Sequence, residues 1–312
     1  MLMLAIPTSG FAYSDKEDNV ELDALSDWIE GSVLFDEEGL SDSDVVDALR
    51  DGEIYSTQEM AWRAVTNAWR ELKRRIGWLG AGSILTVDAN RIKRHGVWTD
   101  SPAHAFCICL SFARWYPDWA RSFGADYTLQ GELFERLTIE SLKLHFPDWE
   151  IHPTGWSRSH TDKLNAVVLS VAGRLGEPTG DVTRWTTEEA NEAGLDILCY
   201  RPFEDSRTCS PVFLLQCASG KHYEGKLHTP NLRIWCRIVQ FTAEPKKAFS
   251  SPFALSDQEF TRVGNLVNGM LIERYRLLSA GRNNIAWVSA DLTDRIIDWL
   301  APRITALPLN EE

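Results

Sequence analysis

Two short apolar runs each carry one polar residue that burial alone would not choose: Asp196, in the run Leu195 to Tyr200, and Gln216, at the end of Pro211 to Cys217. The turn residues Pro202, Asp205, Ser206, Ser210 and Pro211 lie between the runs, so the two read as the strands of a hairpin. Polar groups in such places need partners. A metal ion at the sheet edge would supply one, because Mg²⁺ prefers carboxylate and carbonyl oxygens and usually takes one or two protein carboxylates. Lys221 and Lys226 follow closely. A lysine beside a metal-bound carboxylate can orient or deprotonate an attacking water and balance charge as a phosphodiester opens. The plainer alternative is that Asp196 caps a strand end and Gln216 satisfies a backbone group.

A second element lies upstream. From Gln130 to Phe146 the residues Leu133, Phe134, Leu137, Ile139, Leu142 and Leu144 recur at helical spacing, Gly131 marks the start, and Glu135 sits among them. Together these residues resemble the restriction-endonuclease-like superfamily, the PD-(D/E)xK nucleases. There a Gly-x-x-Phe-Glu helix precedes a strand Asp and then a strand ending in Glu-x-Lys or Gln-x-Lys. Gly131, Phe134 and Glu135 match the helix, Gly194 and Asp196 the first strand, and Gln216 the second.

The resemblance implies a mixed α/β core with a central mixed sheet flanked by helices, and a phosphodiesterase using Mg²⁺ or Mn²⁺. It makes Glu135 and Asp196 metal ligands, and Gln216 with Lys221 or Lys226 their catalytic companions. One departure stands out: two residues after Gln216 the family has lysine and this chain has Ala218. Positions i and i+2 of a strand share a face about 7 Å apart, so Ala218 takes the usual lysine place. Lys221, near the strand end, is the first candidate for a displaced lysine, and Lys226, returning from a following helix, is the second. The resemblance covers roughly Gly131 to Leu278.

The chain has 312 residues, 44% of them hydrophobic, enough for one large domain or two smaller ones with a substantial core. Its net charge of −13 argues against non-specific affinity for nucleic acid, which depends on Lys and Arg neutralising phosphates. Acidic residues are concentrated from Asp15 to Glu53, whereas Arg70 to Arg75 and Arg91 to His95 are basic, so charge is expected to segregate over the surface. The six cysteines contain no Cys-x-x-Cys pair, and Cys107, Cys109, Cys199 and Cys217 fit apolar runs. A reducing compartment, the cytoplasm, is expected, with no membrane association.

Residues 1–18 read as a loose leader, 19–128 as a helical region, and 129–312 as the nuclease-like domain. The helical region contains Val20 to Leu34, then a helix capped at Ser41-Asp42-Ser43-Asp44 and stopped at Gly52. A longer helix follows, with an apolar stripe from Met60 to Ile76 and Arg63, Arg70, Lys73 and Arg74 on the opposite face. That basic face is either a solvated exterior or a contact for phosphates. Helix resumes over Ala103 to Trp119, where His104 reads as a helix-end residue rather than a ligand. In the second half Trp149 to Gly155 reads as a strand, Thr161 to Leu175 as a helix, Glu188 to Glu192 as a solvated short helix or the source of a further metal ligand, and Gly269 to Leu278 as a strand.

Three readings of function emerge. The first is a Mg²⁺-dependent endonuclease acting on nucleic acid, DNA foremost, in defence against foreign DNA, with a partner protein of a defence system or self-association. The second is a catalytically silent subunit that uses the same fold to bind nucleic acid or a partner protein, for which Ala218 speaks. The third, a helical interaction protein, leaves Glu135 with Asp196 unexplained.

Overall fold

The computed structural model describes residues 4–11, 20–36, 38–124, 126–154, 164–185 and 193–310. The protein is mixed α/β and packs as two compact units. One comprises residues 1–126, 252–256 and 274–312; the other comprises 127–251 and 257–273. The last part of the chain, read from sequence as part of the nuclease-like domain, therefore packs in the first unit. The acidic segment Glu188 to Glu192 lies outside the described residues.

The first unit is built around α1 (Leu22–Phe35), buried on nearly every side, as a helix inside a core must be. β1 (Gly39–Ser41) leads into α2 (Asp42–Asp51), whose start is a capping box: Asp44 N–H donates to Ser41 Oγ and Ser41 N–H to an Asp44 carboxylate oxygen. In α3 (Gln58–Leu79), Thr57 caps the first turn, and Ala61, Val65, Ala68, Leu72 and Ile76 bury the apolar stripe. Then β2 (Leu85–Val87) and β3 (Arg91–Arg94) complete a three-stranded antiparallel sheet of order β1-β3-β2. The expected all-helical region thus contains a small sheet, made from strands too short to show a period of two.

Helix expected over Ala103 to Trp119 is two helices, α4 (Pro102–Trp115) and α5 (Pro117–Ser122). Pro117 has no N–H to donate and disfavours a helical conformation at Tyr116, so the chain breaks there.

The core of this unit holds charge. Arg75, expected on a basic stretch, is fully buried, and its guanidinium contacts Asp27 at 2.9 Å, Asp23 at 2.7 Å and Glu71 at 2.8 Å. His104 is buried too, its Nε2 2.7 Å from Glu30, so it serves as an internal partner of a carboxylate. Exposed Arg63, Arg70 and Lys73 keep the outer face of α3 basic.

The second unit begins with α6 (Tyr127–His145) and β4 (Glu150–Pro153), followed by α7 (Leu164–Leu175). β5 (Ile197–Tyr200) and β6 (Val212–Cys217) form the expected antiparallel hairpin. α8 (Leu232–Ile238) carries the chain to β7 (Lys246–Ser250), and α9 (Asp257–Val267) to β8 (Met270–Ile272). The five-stranded sheet has the order β4-β5-β6-β7-β8. β5 runs antiparallel to its neighbours β4 and β6, while β7 is parallel to β6 and β8 to β7. Strand alternation divides its faces. Leu198, Tyr200, Val212 and Leu214 pack with α7 and α8, while Ser250, in the opposite phase, meets Thr138 of α6 through paired hydroxyls at 3.1 Å.

Gly269 to Leu278 is not one strand. Only Met270–Ile272 pairs, and from Arg274 the chain becomes α10 (Arg274–Leu278), returning to the first unit. The apolar residues there fit either period, and Arg274 settles the matter by donating to Asp27 at 2.7 Å and to the Pro252 carbonyl at 2.9 Å. The chain closes with α11 (Ala290–Thr305). Among the described residues no helix is long and apolar enough to cross a membrane.

Candidate functional site

Three pieces of the second unit converge on one cleft of about 590 Å³: the first half of α6, the edge where β5 begins and β6 ends, and the segment 218–226. Glu135, Asp196, Lys221 and Lys226 all line it. The structure therefore brings together four of the five residues singled out from sequence. The fifth, Gln216, is only 3% exposed and stands behind Asp196.

Asp196 immediately precedes β5, with its backbone N–H paired to the Leu215 carbonyl at 2.9 Å, so it continues the ladder at the open end of the hairpin. Its Oδ2 accepts two hydrogen bonds, from the Cys217 backbone N–H at 2.6 Å and from the Gln216 side-chain amide. The same amide nitrogen donates to the Cys217 carbonyl at 2.9 Å, and its oxygen accepts from Thr229 Oγ at 3.1 Å. Every polar atom of Gln216 is thus committed, and its part here is to hold Asp196. Gly194 makes this packing feasible: its φ is +72°, and a Cβ there would stand 2.7 Å from Cβ of Thr229.

Glu135 projects from α6 because it shares a face with Gly131, one turn earlier, while Leu133, Phe134, Leu137 and Leu142 face the core. Leu144, expected in that apolar stripe, is half exposed. The Cys217 thiol registers both acids. Burial pushes it well above the ordinary cysteine range, and the carboxylates of Asp196 and Glu135 push it further, so Cys217 is a protonated wall residue rather than a nucleophile.

Ala218 is 2% exposed, its N–H bonded to the Ser250 carbonyl, and it lines the cleft without a functional group. The lysines come from the turn that follows. Gln130 of α6 donates to the Ser219 carbonyl at 3.0 Å, which anchors the segment bearing Lys221. Lys226 ends a 3-10 helix (Tyr223–Lys226) rather than lying on an α-helix. Its carbonyl accepts from Thr229 Oγ, and the next residue, Leu227, accepts from Lys247 at 2.8 Å. Lys247 is a buried amine on β7 whose pKa burial pushes below the usual lysine range.

Sequence reasoning passed over Gln130, Thr229 and Lys247. Gln130 and Thr229 lie within a few residues of candidates already named, and that proximity was their only signal. Lys247 reads as an ordinary surface lysine beside Lys246, and nothing in the pattern marks it.

The donor set suits a hard cation. Two carboxylates on one cleft, one oriented through N–H donors, fit Mg²⁺ or Mn²⁺, which keep several waters. Among the described residues no group of three or more His, Cys, Asp or Glu side chains is placed to hold a metal, so a closed zinc-type centre is not built there. Scans of protein-family models, of curated proteins and of solved structures return no match for this chain.

Proposed function

We propose that this protein is a metal-dependent nuclease hydrolysing phosphodiester bonds of nucleic acid, DNA foremost, in the cleft of its second unit. One observation carries the reading: Glu135 and Asp196, from a helix and a strand far apart in sequence, open into the same cleft as Lys221 and Lys226. The succession α6, β4, α7, β5, β6, α8, β7 supports it: apart from α7, which stands between β4 and β5, a helix bearing Glu, a strand, a strand led in by Asp, a strand with Gln, a helix and a strand is the order that the nuclease resemblance implies.

Glu135 and Asp196 would hold Mg²⁺ or Mn²⁺, which when bound polarises a phosphoryl oxygen and lowers the pKa of water. Gln216 and the Cys217 N–H grip one oxygen of Asp196 and so fix the rotation of its carboxylate before substrate arrives. Lys221 and Lys226 supply positive charge beside two acids, which offsets the charge of the incoming phosphodiester and of its transition state. Lys221, on the turn fastened by Gln130, is the first candidate for orienting the attacking water.

Nicking of supercoiled plasmid DNA by the purified protein in Mg²⁺ or Mn²⁺, suppressed by EDTA, is the expected result. Retardation of the same DNA in a gel without nicking in either metal would instead favour the silent-subunit reading, for which the side-chain-poor Ala218 at the usual lysine place is the specific observation.

A further inference from the structure

Tyr127, Gly131 and Glu135 are spaced by four residues on α6, share one face of the helix, and all line the cleft. Tyr127, the first residue of the helix, is 68% exposed, so its ring contributes little to the core. Gly131 lies inside the helix, where glycine is unfavourable relative to alanine, yet a Cβ built on it meets nothing within 4 Å. Neither neighbouring atoms nor helical backbone call for glycine there. What the missing side chain creates is a gap in the helix face between an exposed aromatic ring and a carboxylate, ~12 Å apart along the axis at 1.5 Å per residue. The same cleft is lined by exposed Lys221, His222 and Lys226.

Resting on the nuclease reading above, we infer that this slot is a subsite for an unpaired nucleotide: its base stacks on Tyr127, its sugar passes over Gly131, and its phosphate lies toward Glu135, Asp196 and the lysines. Base faces in a duplex are covered by their neighbours in the stack, whereas a single strand offers them to an aromatic side chain. Stacking is tolerant of sequence, because every base has a π-face. A cleft of about 590 Å³ lies within the range of pockets that enclose small ligands, and a net charge of −13 disfavours binding a duplex by its phosphates alone.

The test is binding in EDTA, where no metal-dependent hydrolysis occurs, of a short single-stranded oligonucleotide carrying 2-aminopurine, against its duplex. The wild type should change the fluorescence of the single strand by stacking and bind it more tightly than the duplex. Tyr127→Phe should bind like the wild type, and Tyr127→Ala about tenfold or more weakly. Gly131→Leu should also weaken binding while raising the melting temperature, because it replaces a helix glycine where the Cβ meets open space. Equal affinity for duplex and single strand, or wild-type binding by Tyr127→Ala or Gly131→Leu, would overturn the subsite. Metal-dependent cleavage accompanied by that result would leave the nuclease reading standing. Single-strand stacking lost in Tyr127→Ala, with no cleavage in any metal, would retain the subsite and reject the nuclease.

Discussion

The side-chain amide of Gln216 donates to Oδ2 of Asp196, the oxygen that the Cys217 backbone N–H also reaches. An ionised glutamate could not play this part, since it has no hydrogen to give. The residue that the nuclease resemblance makes a companion of the metal ligands is thereby an orienting group behind one of them. Gln216→Glu would set two buried carboxylates against each other, and without metal it should cost about 1–3 kcal/mol of stability. Thermal denaturation in EDTA should show a lower midpoint than the wild type, with recovery in Mn²⁺ as a cation enters between the acids. A variant as stable as the wild type in EDTA would show that the contact does not hold Asp196.

The two cleft lysines should separate kinetically. Lys221→Ala is expected to lower single-turnover cleavage by at least about a hundredfold, the scale of a positioned acid-base or charge-stabilising group, with metal binding retained. Lys226→Ala should act mainly on substrate affinity. A silent Lys221→Ala beside an inactive Lys226→Ala would reverse these roles, and two fully active variants would remove both lysines from catalysis.

Lys247 ties the Leu227 carbonyl to β7 and so fastens the segment that carries Lys226 and Thr229. Lys247→Met removes a buried amine, which by itself favours folding, and also removes the tether. Substrate affinity should fall by roughly tenfold, the order of one lost hydrogen bond to a charged donor, with little loss of thermal stability. Unchanged affinity would show that the segment keeps its place without the tether.

The hairpin, the α6 helix and the convergence of Glu135 with Asp196 were legible because each is written locally: an apolar run, a helical stripe, a polar residue where burial disfavours one. The support around them was not. Thr229 reaches Gln216 only because the segment after the 3-10 helix folds back beside Gly194, and Lys247 reaches Leu227 only once β7 lies beside β6. The three-residue strands β1 and β2 are shorter than any periodicity can reveal, and Gly269 to Leu278 carries a pattern that fits both strand and helix. Arg75 and Arg274 look like surface charge in sequence and are buried because Asp27 and Glu30 on α1 await them.

That buried cluster makes the first unit sensitive to acid. Burial alone would raise the Asp27 carboxyl, but Arg274 and Arg75 outweigh it and hold it at about 2. Glu30 is likewise lowered against its burial by the His104 contact, whereas burial raises Asp23. With the folded value of Asp27 below the unfolded one near 4, its contribution of about 2 kcal/mol is complete above pH ~4 and is lost as pH falls toward 2. Melting temperature should drop over that window in the wild type, and Asp27→Asn should start lower and lose part of the slope. An unchanged slope in the variant would assign the acid sensitivity to other carboxylates.

If Asp196 holds the metal on which phosphodiester hydrolysis depends, as proposed above, Asp196→Asn should abolish cleavage without unfolding the chain. Removing the whole side chain would strand the Cys217 N–H and the Gln216 amide, whereas the carbonyl oxygen of Asn can take the place of Oδ2 and accept from both while the charge a metal needs is removed. Cleavage of single-stranded DNA in Mn²⁺ should be measured for wild type and Asp196→Asn side by side, with folding checked by circular dichroism. The wild type should cleave and the folded variant should be slower by at least about a hundredfold. Equal cleavage by the two proteins, or no cleavage by the wild type in either Mn²⁺ or Mg²⁺, would contradict the account.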